Sequence, residues 1–145
     1  MRIERFADDH EFLSNFYPSL VYFEEIIYPS VEHGYQAAKF SGMGMRAVIA
    51  AMTPGQAKRT GRKATLPADW DFKRIEIMRY LLFQKFTDPD LRRMLLETGD
   101  AELIEGNNWG DTFWGVSNGI GENQLGKLLM EVRAHFAREE FFESP

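Results

Sequence analysis

The chain has 145 residues, 44% hydrophobic and 27% charged, a balance that excludes disorder, collagen and coiled coil and fits one compact domain. A net charge of −5 argues against non-specific nucleic-acid binding, which needs a basic face, but not against a small positive patch that grips one nucleotide. The absence of cysteine removes disulfides, thiolate nucleophiles and sulfur-ligated metals.

Arg2 to Phe6 alternates polar and apolar residues and predicts a short strand. The N-terminus lacks the apolar run of a signal peptide and no stretch reaches membrane-spanning length, so a soluble, cytoplasmic protein is expected. Leu20–Phe23 and Ile26–Tyr28 flank Glu24-Glu25 and predict a small hairpin, although its turn has neither glycine nor asparagine. Ser30 is placed to cap a helix over Val31–Phe40. Thr53-Pro54-Gly55-Gln56 carries a capping Thr, a proline at the first helical position and Gln at the third, starting a helix that stops near Gly61. Asp71–Phe86 predicts the next helix, with Ile75, Met78, Leu82 and Phe86 on one stripe. Asp88-Pro89 starts another, ended by Gly99. Ala101–Glu105 fits strand or helix, and a glycine-rich loop runs from Gly106 to Gly121. The last helix, near Asn123–Ala137, buries Leu125, Leu128, Leu129, Val132 and Phe136. The expected architecture is mainly α, a single domain over 1–145 with a small antiparallel β appendage.

Three stretches can carry chemistry. Glu32, Gln36 and Lys39 follow the spacing i, i+4, i+7 and share one helix face with Tyr35 beside them, while the other residues are small or apolar. That narrow polar stripe is either the wall of a site or a solvent-facing row. The loop Gly106–Gly115 sets Asp111 among Trp109, Phe113 and Trp114; indoles stack on flat heterocycles, and a carboxylate among rings can stabilise a developing cation. Gly119, Gly121 and Asn123 lead into the final helix, where backbone N–H groups can cradle an anion, though a plain tight turn explains the glycines as well. Lys58-Arg59-Thr60-Gly61-Arg62-Lys63 adds a local basic cluster that is either a solvated face or a phosphate clamp. Lys85 shares a row with Met78 and Leu81, and its ammonium either snorkels past them or sits poorly solvated with a lowered pKa. His10, His33 and His135 show no metal-binding spacing, so no metal and no cofactor is expected. His33 reads as a core or supporting histidine. Gly115-Val116-Ser117-Asn118-Gly119 matches G-x-S-x-G on paper, but the strand and helix required around a nucleophile elbow are missing, and a serine hydrolase is rejected.

Phe12-Leu13-Ser14-Asn15-Phe16-Tyr17-Pro18, Val31-Glu32-His33, Gln36-Ala37, Lys39-Phe40, Gly61-Arg62, Asp69-Trp70, Lys85-Phe86, Thr98-Gly99-Asp100, Asp111 with Phe113-Trp114-Gly115, and Gly121 to Met130 follow one another in an order that resembles the NADAR superfamily, also called the YbiA-like family. The resemblance covers nearly the whole chain. It implies a mainly helical domain that breaks the bond between ribose C1 and a nitrogen, acting either on phosphoribosylated riboflavin-biosynthesis intermediates or on ADP-ribose attached to guanine in DNA. In the second case the protein would be functionally paired with a DNA ADP-ribosyltransferase toxin. Asn107-Asn108-Trp109-Gly110 is more similar to the compact, ADP-ribose-associated members, whereas Gly34 stands where the family usually has a bulkier residue.

The resemblance implies catalytic roles for Glu32, Lys39 and Asp111. A carboxylate below the ribose, Asp111 or Glu32, would stabilise an oxocarbenium-like transition state. Lys39 or Lys85 would permit a Schiff-base route through ring-opened ribose. Trp70, Trp109 and Trp114 would stack on sugar or base, and Arg62 with Gly119, Gly121 and Asn123 would hold phosphate. A non-catalytic ADP-ribose or NAD reader is the competing class. It would need the rings and an anion cradle, but not Glu32, Lys39 and Asp111 together.

Overall fold

A computed structural model describes residues 1–143. The elements in chain order are β1 (Arg2–Ile3), a 3-10 segment (Asp8–Leu13), β2 (Val21–Phe23), β3 (Ile26–Tyr28), α1 (Val31–Ala37), α2 (Met43–Ala50), α3 (Pro54–Gly61), α4 (Trp70–Lys85), α5 (Pro89–Glu97), β4 (Glu102–Leu103), β5 (Gly106–Asn107), β6 (Val116–Ser117) and α6 (Gln124–Glu143). The fold is mainly α. Two compact units divide it: Asn15–Lys85, and Met1–Ser14 with the chain from Phe86 onward.

In the unit 15–85 the predicted hairpin forms, β2 pairing antiparallel with β3 in the register Val21↔Tyr28, Tyr22↔Ile27, Phe23↔Ile26. Its turn holds Glu24 and Glu25 at φ 44° and 76°, the left-handed conformations that a two-residue turn demands and that glycine or asparagine would adopt more cheaply. Buried Arg46 offsets that cost, lying 3.6 Å from the Glu24 carboxylate and donating through Nε to Phe40 O at 2.7 Å. The Gln84 side chain meets both backbone groups of Tyr22, accepting its N–H at 2.8 Å and donating to its carbonyl at 2.6 Å. A strand edge that would otherwise seek another strand is thereby covered.

Helix α1 starts where expected, with Ser30 Oγ accepting the His33 N–H at 3.2 Å. It ends at Ala37 rather than Phe40, because Lys39 and Phe40 donate to the carbonyls three residues back and tighten the chain into a turn. Gly34 explains its own departure from the family pattern: a Cβ there would lie 3.1 Å from a Leu81 methyl carbon, so its absence lets α4 pack close against α1. Helix α3 has the predicted capping box, Thr53 Oγ1 accepting from Gln56 N–H and Gln56 Oε1 accepting from Thr53 N–H. Helix α2 has no counterpart in the sequence reading, since Ser41-Gly42-Met43-Gly44 hides its start.

In the other unit the pairings are parallel and two residues long: β1 with β4, and β5 with β6. The ambiguous segment 101–105 resolves as a strand over Glu102–Leu103, and the predicted opening strand is confined to Arg2–Ile3. Asp88 caps α5 through the N–H groups of Asp90 and Leu91, both at 3.0 Å. Leu125, Leu128, Leu129, Val132 and Phe136 are buried as α6 required, although the helix continues to Glu143. No helix among the described residues is long and apolar enough to cross a membrane.

Candidate active site

Two of the three residues of the polar stripe on α1 are buried, which speaks against a solvent-facing row. Glu32 is 7% exposed and Gln36 5%, and Gln36 Nε2 donates to Glu32 Oε1 at 2.9 Å. Lys39, at the helix end, is half-buried with its ammonium 5.4 Å from the centre of the Tyr35 ring. Burial holds that ammonium below the ordinary lysine range; Glu32 pulls it back up, while Arg62 and Lys58 push it further down. Lys39 thus feels one buried carboxylate and two further cations. Lys58 and Arg62 are an i, i+4 pair on α3 and its C-cap, a spacing legible within the basic run, yet only Arg62 was expected at the site.

The segment Asn15-Phe16-Tyr17 ties this group together. Asn15 O accepts the Glu32 N–H at 3.1 Å, Phe16 lies 5.9 Å beneath the Lys58 ammonium, and Tyr17 lies 5.8 Å from that of Lys85. Lys85 is fully buried, so it does not snorkel, and burial lowers its pKa to about 7. The unfolded chain, with lysine near 10.5, then binds more protons than the folded one above pH 7. Stability conferred on this account should rise with pH from about 7 towards 10.5 and be lowest below pH 7. Urea titrations across that range should show the rise in the wild type, and Lys85→Met should flatten it.

Trp70 is 5% exposed, with its ring 5.4 Å from that of Tyr35; it braces α1 from the core instead of offering an open stacking face. His33 is a satisfied core histidine. Its Nδ1 lies 2.6 Å from Ser30 Oγ and its Nε2 2.7 Å from Met52 O. Among the described residues, Asn15 Oδ1 and Gln36 Oε1 are buried without a hydrogen-bond partner, each an arrangement that costs about 1–3 kcal/mol when left unmet.

The second unit organises the tryptophan loop. Asp111 Oδ1 accepts the N–H groups of Phe113 at 3.1 Å and Trp114 at 2.9 Å, so the carboxylate shapes the loop as well as charging it. Asn107, whose role nothing in the sequence reveals, accepts from Trp109 and Asp111 N–H through Oδ1 and donates from Nδ2 to Glu105 Oε2 and Asp111 O. Trp114 is half-buried with Phe113 edge-on at 4.8 Å, and Trp109 is 57% exposed.

The anion cradle expected before α6 is corrected. The N–H groups of Glu122, Asn123, Gln124 and Leu125 donate to the carbonyls of Thr112, Gly115, Phe113 and Trp114 at 2.8 to 3.2 Å, which leaves those helix-start donors no duty towards a phosphate. Asn118 and Gly119, at φ 53° and 77°, form a tight turn closed by Ser117 and Ile120, and Gly121 is exposed beyond it. Asn123 is committed by both ends of its amide, accepting from Glu105 N–H and donating to Leu103 O at 2.9 Å each. Asn123→Ala should destabilise the protein by about 1–3 kcal/mol for the stranded backbone groups. Denaturant titration should show that loss with its size independent of added phosphate. Among the described residues no group of three or more His, Cys, Asp or Glu could hold a metal ion.

The NADAR domain family matches residues 3–137, running through both units. The chain belongs to the NADAR family. It is 44% identical over 128 residues to the N-glycosidase Npun_R5314 of Nostoc punctiforme, covering 83% of this chain and 81% of that protein. To the N-glycosidase YbiA of Escherichia coli it is 35% identical over 139 residues, 92% of this chain and 86% of that protein. The NMR structure of E. coli YbiA superposes with a TM-score of 0.85 at 33% identity, covering all of this chain and 89% of that one. Riboflavin biosynthesis protein VVA0006 of Vibrio vulnificus is 40% identical over 131 residues, 87% of this chain but only 35% of that longer protein.

Proposed function

We propose that this chain, an N-glycosidase as its relatives are, removes ADP-ribose from guanine in DNA and so reverses the product of a DNA ADP-ribosyltransferase toxin in the cytoplasm. The observation that carries the reading is that the half-buried Lys39 feels the charges of the buried Glu32, of Arg62 and of Lys58. A pyrophosphate next to a ribose presents negative charge to such cations while setting an anomeric carbon near a carboxylate. The overall charge of −5 suits an enzyme that grips one modified nucleotide rather than a length of duplex.

The reaction breaks the ribose C1–N bond. Its electron pair leaves with the guanine nitrogen, which takes up a proton; positive charge grows on C1 and the ring oxygen, and water adds to C1 with loss of its own proton. Glu32 stabilises the growing charge from a site that is poorly solvated and therefore electrostatically strong. In the other unit, taken by itself, Asp111 bonded within the tryptophan loop is the second carboxylate that the family resemblance implies, with Trp109 and Trp114 beside it in the same loop.

A second reading, cleavage of a phosphoribosylated riboflavin-biosynthesis intermediate, is favoured by the Vibrio relative named for that pathway. The two are separated by incubating the protein with ADP-ribosylated guanine DNA and, in parallel, with a phosphoribosylaminopyrimidine. Release of free ADP-ribose and unmodified DNA supports the first reading. Release of base from the pyrimidine alone overturns it in favour of the second.

A further inference from the structure

We infer that Gln36 is a positioning residue for Glu32, and that Gly61 is glycine in order to admit the Gln36 amide. The inference rests on the reading of Glu32 as the charge-stabilising carboxylate, and three observations carry it. Gln36 lies one turn after Glu32 on α1 and donates from Nε2 to Glu32 Oε1 at 2.9 Å, a bond between two buried side chains that fixes the rotation and plane of the carboxylate. The far end of the same amide, Oε1, is buried without a hydrogen-bond partner among the described residues. A Cβ added to Gly61 would fall inside the van der Waals envelope of that oxygen and overlap the amide carbon.

The amide is therefore oriented by one end and sterically seated by the other. Its orientation follows from the chemistry of the pair. A carboxylate offers only acceptors, so the NH₂ must face Glu32 and the carbonyl must face α3. There the hydrogen that Gly61 carries in place of a side chain points at Oε1, a weak Cα–H···O contact in place of a full donor. Packing alone would be served better by Met or Leu, which fill similar volume, favour helix and strand no buried oxygen. An amide at this position earns its place only through the N–H it gives to Glu32, and local cost retained beside a reactive group is the pattern of a functional constraint.

The test uses Gln36→Met, which keeps length and helix propensity but removes the donor. The expected result is a kcat lower by about 10- to 100-fold, the range seen when groups that orient metal ligands are removed, with KM near the wild-type value and a melting temperature equal or higher. Gly61→Ala should reproduce the kcat loss by displacing the amide, and should add nothing further in a Gln36→Ala background. An unchanged kcat in Gln36→Met, or full additivity of Gly61→Ala with Gln36→Ala, overturns the inference. A readout free of substrate keeps it apart from the proposed function. The Gln36 side-chain NH₂ resonances, identified by their loss in Gln36→Met, should show slow solvent exchange in the wild type and fast exchange in a folded Glu32→Ala protein. Exchange indifferent to Glu32→Ala sinks the positioning role whatever the substrate proves to be, whereas failure of every offered substrate alongside the expected exchange behaviour indicts only the proposed function.

Discussion

Asp111→Asn is expected to lower kcat by about two to three orders of magnitude, the size of a lost charge-stabilising group, while the protein melts near the wild-type temperature. The expectation rests on how Asp111 is held. Its Oδ1 accepts two backbone N–H groups, those of Phe113 and Trp114, and an asparagine carbonyl can accept the same pair. The substitution thus deletes the negative charge and keeps the loop. Asp111→Ala deletes both, and should add to the kinetic loss a destabilisation of about 1–3 kcal/mol for the donors left unmet. The pair separates two roles that the sequence alone merges. If Asp111→Asn turns over like the wild type while Asp111→Ala fails, the residue shapes the tryptophan loop and its charge takes no part in the chemistry.

What was legible in the sequence was whatever is local. Ser30, Thr53 and Asp88 announce their helices because a cap bonds to N–H groups two or three residues away. The stripe Glu32-Gln36-Lys39 is visible because helical periodicity puts it on one face, but the sequence leaves open whether that face is a site wall or a solvent-facing row. What pairs across distance was not legible. Alternation announces the strand at Arg2–Ile3 and leaves 101–105 open between strand and helix, but nothing local says that β1 pairs with β4, and β5 and β6 lie in the glycine-rich loop without alternation to detect. Glycines before α6 looked like an open anion cradle, because nothing local reveals that carbonyls 112–115 fold back onto the helix start. Lys85 left two alternatives standing, since a helical row cannot say how deeply its end is covered. Gln36 was noticed without a role, because its partner Gly61 sits 25 positions later on another helix.

The two chemical routes differ most sharply at Lys39. If an amine attacks C1 of the ring-opened, guanine-linked ribose, the C1–N bond breaks, the guanine leaves as its amine with the proton given up by the lysine, and a lysine Schiff base forms that water later hydrolyses. Borohydride added during turnover should then reduce it to a stable secondary amine, and Lys39→Arg should abolish both adduct and activity, because guanidinium keeps the charge but cannot attack. Two properties of Lys39 suit that role. Burial, together with Arg62 and Lys58, depresses its pKa and raises the fraction of free amine at neutral pH, although Glu32 opposes this. Its side chain also remains half-exposed at the end of α1, where a sugar can reach it. Lys85 is the rival: its pKa of about 7 supplies more free amine, but it is fully buried, and a nucleophile without access to C1 needs the protein to open. Access decides for Lys39. Mass spectrometry of the reduced protein should place the added sugar on the peptide containing Lys39. An adduct on Lys85 keeps the Schiff-base route and transfers the nucleophile. No adduct at all, with Lys39→Arg still active, returns the reaction to direct attack by water and leaves Lys39 holding phosphate beside Lys58 and Arg62.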